Sequence, residues 1–220
     1  MSTRKYLAEL VGTFLFLTIG YASVASFMAA GTSGLLVVPF AFSLGLLAAI
    51  FAVGRISGGH FNPAVTVAMV IDRRTGPMDA AGYILAQVIG AIGAAALVLA
   101  VVGQAAVTAG VTKPGGGVTE IGALILETVL TATFIAVILA STKRAARLAP
   151  LVIPLTLVAI HFAAAPLTGA SVNPARSLGS ALIGADMAGI WIYIVAPMAG
   201  AVVGWAIYRV IDGGGEEPLG

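Results

Sequence analysis

Ser57-Gly58-Gly59-His60-Phe61-Asn62-Pro63-Ala64-Val65 is answered 111 residues later by Thr168-Gly169-Ala170-Ser171-Val172-Asn173-Pro174-Ala175-Arg176. Each stretch sets Asn-Pro-Ala after a glycine-containing turn and before a short apolar run. Asn is a favoured N-cap and Pro fits the first helical position, so each reads as a helix start. The helices are short. Pro63 to Ile71, at about 1.5 Å per residue, covers about 14 Å, roughly half of a 30 Å hydrocarbon core. Two half-helices inside an otherwise membrane-embedded chain predict N-termini that meet near the midplane.

The surrounding chain is built for lipid. Of 220 residues, 60% are apolar and 9% charged, and the mean hydropathy is +1.07. Soluble domains carry about 25% charged residues, so this composition describes an integral membrane protein with the lipid bilayer as its partner. The net charge of +2 comes from scattered basic residues and gives no support to nucleic-acid binding. There is no cysteine, which removes disulfides, thiolate metal sites and thiol nucleophiles. Two histidines alone do not make a metal site, and no metal or other cofactor is expected. No Gly-x-Ser-x-Gly, His-Glu-x-x-His or phosphate-binding loop is present, so no catalytic residues are assigned and an enzyme is not expected.

Six full-length apolar segments lie near 6–29, 34–53, 79–103, 119–141, 149–167 and 188–210. The half-helices fall between the second and third segments and between the fifth and sixth. The fold class is therefore an all-α membrane protein with six transmembrane helices and two re-entrant half-helices. The first segment follows Arg4-Lys5, but it carries Glu9 and is too long for a signal-peptide core, so it reads as an uncleaved span. With the N-terminus inside, Arg4, Lys5, Arg55, Arg73, Arg74, Lys143, Arg144, Arg147 and Arg209 lie on one side, against Lys113 and Arg176 on the other. That asymmetry predicts a multi-pass protein with both termini cytoplasmic and residues 212–220 as a short, acidic, disordered tail.

The two halves repeat one another within the single domain 1–220, as 5–103 and 119–211. Glu9, Val11 and Thr13 match Glu127, Val129 and Thr131; Pro39 matches Pro154; Tyr83 to Ala91 matches Tyr193 to Ala201. Three spans per half is an odd number, so the second copy lies inverted relative to the first. Inverted repeats meeting at broken helices place a site at the midplane. Small residues at four-residue spacing, Ala86, Gly90 and Ala94 in one half and Ala196, Gly200 and Gly204 in the other, predict close helix packing.

Two Asn-Pro-Ala boxes in inverted three-span halves, each half opened by a membrane-embedded Glu, resemble the aquaporin (major intrinsic protein) family over residues 5–210. The resemblance implies a passive water channel, driven by osmotic gradients and closed to protons and ions. It further implies a homotetramer in the plasma (cytoplasmic) membrane with one pore per subunit. In that family a four-residue selectivity filter lies on the outer side. Carried over by spacing from the two boxes, its positions are Phe42, His161, Ala170 and Arg176. Phe, His and Arg together resemble the water-selective branch. Ser177 and Ala181 fit that branch, whereas Ile194 departs from the Trp often found there.

The remaining chemistry follows residue by residue. Asn62 and Asn173 cap their helices, with Pro63-Ala64 and Pro174-Ala175 as first turns, and keep amide hydrogens for the oxygen of a passing water. The paired helix N-termini add positive potential at that point, against cations and hydronium. Arg176 is a buried charge with no acidic neighbour in sequence, a candidate for donating to water and repelling cations. His161 offers a polar edge and bulk, and Phe42 an apolar wall. His60 is expected to shape its loop. Glu9 and Glu127 are expected to accept hydrogen bonds from the loop backbone behind each half-helix.

Two alternatives remain open. A channel for glycerol or other small neutral solutes would exploit the small Ala170. A proton-coupled secondary transporter would use Glu9 and Glu127 as proton carriers.

Overall fold

The computed structural model describes residues 2–30 and 34–212. Among these, nine helices follow in order: α1 Ser2–Ala29, α2 Val37–Ser57, α3 Pro63–Ile71, α4 Pro77–Val102, α5 Gln104–Ala109, α6 Glu120–Arg144, α7 Ala149–Thr168, α8 Pro174–Ile183 and α9 Ile192–Asp212. Six of them, all but α3, α5 and α8, are long and apolar enough to cross a membrane. The half-helix α3 occupies the nine residues that its cap, proline and apolar run predict. The tail expected beyond Asp212 and the first turn at Gly31 to Ser33 lie outside the described residues.

Several boundaries differ from the sequence reading: α1 begins at Ser2 rather than 6, α2 at Val37 rather than 34, and α6 runs to Arg144 rather than 141. The second span continues to Ser57 because Ile50–Gly54 winds as a π-helical stretch inside α2, and the wider winding breaks the 3.6-residue period. The loop after α4 holds the short helix α5. The last span begins at Ile192 rather than 188, because Gly189 at φ 68° turns the chain first.

The repeat is visible in packing. α1 lies against α4, and its counterpart α6 lies against α9. At these crossings Gly90 sits where an added Cβ would be 2.5 Å from the Leu10 carbonyl, and Gly200 where it would be 2.6 Å from that of Thr128. Without side chains the backbones approach closely, and van der Waals contact holds helices that lipid cannot drive together. Each half-helix also crosses over: α8 packs on α4 of the first half, and α3 on α9 of the second. The two halves are thus interlocked around α3 and α8.

The basic residues gather at one end. There Arg74 donates to Asp72, Thr142 and Tyr208, while Lys143 and Arg144 donate to Asp212. At the opposite end Lys113 pairs with Asp186 at 2.9 Å.

Candidate functional site

Phe61 and Val172, the residues before the two asparagines, sit at φ 48° and 45°. Side-chain-bearing residues avoid this left-handed region, a β-branched one most of all, and each such residue costs about 1–3 kcal/mol unless its surroundings impose it. Two buried carboxylates impose it. Glu9 Oε2 accepts from the Phe61 N–H at 2.7 Å, and Oε1 from the His60 N–H at 3.0 Å and the Ser57 hydroxyl at 2.6 Å. Glu127 repeats the pattern, accepting from the Val172 N–H at 2.8 Å, the Ser171 N–H at 2.9 Å and the Thr168 hydroxyl at 2.7 Å. The tyrosines that pair in the sequence repeat complete each clamp: Tyr83 donates to the Ser57 carbonyl and Tyr193 to that of Thr168, both at 2.7 Å.

The carbonyls of the strained residues reach the opposite half. Asn62 Nδ2 donates to the Val172 carbonyl at 2.8 Å, and Asn173 Nδ2 to that of Phe61 at 3.0 Å. Each Asn oxygen caps its own helix, accepting from Ala64 N at 2.9 Å or Ala175 N at 3.0 Å, with Pro63 and Pro174 at the first helical position. The two N-termini therefore abut, as the sequence predicts. One amide hydrogen of each Asn is used across the loop and one remains.

His60 Nδ1 lies 3.1 Å from the Thr66 hydroxyl, and its ring stands edge-on to Tyr83. Thr66 itself donates to the Asn62 carbonyl and accepts from Gln87 Nε2, which also donates to Glu9. In the second half Ser171 and Ser177 take the corresponding places, 2.6 Å apart.

Phe42, His161 and Arg176 come together from α2, α7 and α8. The Phe42 and His161 rings stack at 5.2 Å, and the Arg176 guanidinium lies 5.2 Å from the Phe42 centroid. His161 Nδ1 is 2.9 Å from the Leu157 carbonyl. A carbonyl only accepts, so Nδ1 carries a hydrogen and Nε2 is the acceptor of the neutral ring. Arg176 Nη1 donates to the Gly110 carbonyl at 2.8 Å, while its buried Nε has no protein partner. Ala170 is buried at φ 46°, its N–H donating to the Thr168 hydroxyl.

One cavity joins these groups. It is lined by Ile50, Thr142 and Ile153 toward the basic end, by His60, Asn62 and Asn173 at the half-helix tips, and by Phe42, His161 and Arg176 beyond them. Its free volume of ≈ 50 Å³ has room for about four waters at roughly 10–15 Å³ each. Ala170, Pro63, Ala64, Pro174, Ala175, Glu9 and Glu127 do not line it; they stand behind the wall.

Sequence reasoning missed the supports of this cluster. Tyr21 donates to the Arg176 carbonyl and packs edge-on against Phe42. Gly20 leaves the space that the Phe42 ring fills, since a Cβ there would collide with it. Neither carries a motif, and only their place on the inward face of α1 marks them. Gln87 was hidden in the repeat because its counterpart is Pro197.

The chain matches the Major intrinsic protein family over residues 1–208. It is 41% identical to Aquaporin Z of Rhodopseudomonas palustris, across 100% of this chain and 97% of that protein. It is 42% identical to "glycerol uptake facilitator protein-like 6" of Lactiplantibacillus plantarum, across 94% of this chain and 98% of that one. Its fold matches the crystal structure of the aquaglyceroporin from Plasmodium falciparum with a TM-score of 0.87 at 23% identity, covering 96% of this chain and 99% of the other. With six membrane-spanning helices, abutting half-helices and a family match along nearly its whole length, the chain belongs to the major intrinsic protein (aquaporin) family.

Proposed function

We propose that this protein is a passive water channel that excludes protons and other ions. The observation that carries the reading is one small cavity, of ≈ 50 Å³, that reaches past Asn62 and Asn173 to Phe42, His161 and Arg176. Its wall is mostly apolar, so an ion entering it exchanges hydration for few partners, at a cost far above thermal energy. The remaining Asn62 and Asn173 amide hydrogens donate to the oxygen of a passing water. A water held in that way does not accept a proton along the file. Two helix N-termini at the same point oppose cations. At the other cluster, Arg176 donates, the neutral His161 accepts, and Phe42 supplies the apolar side; Ala170 completes the filter from behind. The basic end faces the cytoplasm of a plasma-membrane homotetramer, with both termini on that side.

A channel for glycerol or similar neutral solutes is the second reading. It is favoured by the relative named as a glycerol uptake facilitator-like protein, whereas the small Ala170, expected to leave room for such solutes, does not line the cavity. Stacked Phe42 and His161 beside Arg176 weigh against it. The proton-coupled transporter is weaker, because both oxygens of Glu9 and of Glu127 already accept from loop donors and neither residue lines the cavity.

Stopped-flow shrinkage of proteoliposomes separates the first two. Osmotic water flux is expected to rise at least tenfold over empty vesicles while glycerol flux stays near background. His161→Gly is expected to admit glycerol. Wild-type glycerol flux rivalling water flux overturns water selectivity, and an unchanged solute profile in His161→Gly removes His161 from the filter.

A further inference from the structure

Two cations of the basic end, Arg73 and Arg209, share a hollow apart from the pore. Arg73 follows α3 at φ 61°, and Arg209 lies one turn beyond Trp205 on α9. Among the described residues neither side chain has a hydrogen-bond or ion-pair partner, whereas Arg74 pairs with Asp72, and Lys143 and Arg144 pair with Asp212. Arg73 and Arg209 line one hollow of ≈ 390 Å³ with Ile71, Asp72 and Trp205. Its one carboxylate is already occupied. Asp72 Oδ1 accepts from Trp205 Nε1 at 3.0 Å and Oδ2 from Arg74 Nε at 2.7 Å. A second hollow of ≈ 380 Å³ shares Asp72 and Arg209 and adds Arg74 and Lys143 to the basic lining.

We infer that this hollow binds the headgroup of an anionic phospholipid. A phosphate oxygen is the acceptor that two unpartnered guanidinium groups lack, and Arg binds phosphate in a two-pronged geometry. The occupant is a lipid rather than a free phosphate because of where the hollow opens. It sits at the end of a membrane-spanning helix, beside an indole of the kind that marks the membrane–water interface, with Val202 exposed one turn toward the midplane on the same side of the helix for an acyl chain. The indole N–H donated to Asp72 ties α9 to the end of α3, the two elements that carry the arginines.

Trp205 is also the reporter. The chain has two tryptophans, so Trp191→Phe leaves Trp205 as the sole one. This protein is reconstituted in phosphatidylcholine vesicles containing a minor fraction of lipid brominated in its acyl chains. The brominated lipid carries either a phosphatidylglycerol or a phosphatidylcholine headgroup. Trp205 quenching is expected to be at least twofold greater with the anionic headgroup. Added Arg73→Asn and Arg209→Gln should equalise the two lipids, whereas Arg55→Gln, a basic residue of the same end outside the hollow, should preserve the preference. If the double variant does not elute in detergent like its parent, Arg209→Gln alone carries the test. Equal quenching by both lipids in the parent, or a preference that survives loss of the arginines, overturns the proposal. Displacement of the brominated lipid by millimolar soluble glycerol phosphate would show a free-phosphate site and overturn the lipid assignment.

Discussion

Val172 is a β-branched residue in a conformation suited to glycine, and what surrounds it explains why it stays there. Its N–H is tied to Glu127 of its own half and its carbonyl to Asn62 of the other. The loop is therefore held by acceptor chemistry, and Glu127 cannot be exchanged for an isostere that also donates. In Glu127→Gln one of the Thr168, Ser171 or Val172 donors faces an amide N–H. Leaving one buried donor unsatisfied costs about 1–3 kcal/mol, so the variant is expected to unfold at lower temperature and to lose osmotic permeability. Glu120→Gln, at the exposed start of the same helix, is expected to shift stability by less than about 1 kcal/mol. Equal stability of Glu127→Gln and wild type, measured by thermal unfolding in detergent, would contradict the clamp. Asn62 and Asn173 were legible as caps from Asn-Pro alone. The cross-loop bonds of their amides were not, because nothing in either stretch states which carbonyl of the other will arrive beside it.

At the scale of helices, boundaries were legible where chemistry punctuates the chain. Asn62 and Pro63 open α3, and Asp72-Arg73-Arg74 close it. The end of α2 was not legible, because a π-helical stretch has no sequence marker and shifts the apolar face without a breaking residue. The family resemblance, carried over by spacing from the boxes, named Phe42, His161 and Arg176, and the three side chains meet at one cavity. The same carry-over named Ala170, which is buried at φ 46° and does not line the cavity. The small residues of α4 and α9 carry a prediction of their own. Gly90→Ala and Gly200→Ala place a methyl against a backbone carbonyl of α1 or α6, so the helices must separate at a cost of about 1–3 kcal/mol each. Gly76→Ala, with nothing within 4 Å of the added carbon, is expected to be neutral. Comparable melting temperatures for the three variants would contradict packing by close backbone approach.

Across the whole molecule, two halves of one sequence pattern hold each other's half-helices, and the ends are tied off by charge. Lys113 donates to Asp186 at 2.9 Å and, with the Ala188 N–H, holds that carboxyl below the usual aspartate range. An acid whose folded pKa is depressed stabilises the fold above its unfolded pKa of about 3.9 and loses that contribution as pH falls through the lower, folded value. The melting-temperature gap between wild type and Asp186→Asn should therefore be constant from about pH 8 to pH 5 and narrow only below about pH 4; a gap that opens or closes near neutrality would reassign the pair. The proposed function requires one midplane point to pass water and stop protons. Its most direct measurement records both fluxes on one preparation: proteoliposomes holding an entrapped pH dye, given an osmotic step and then a pH step. Rapid osmotic shrinkage is expected, with proton entry no faster than in protein-free vesicles. Proton entry that rises with protein content alongside water flux would contradict it.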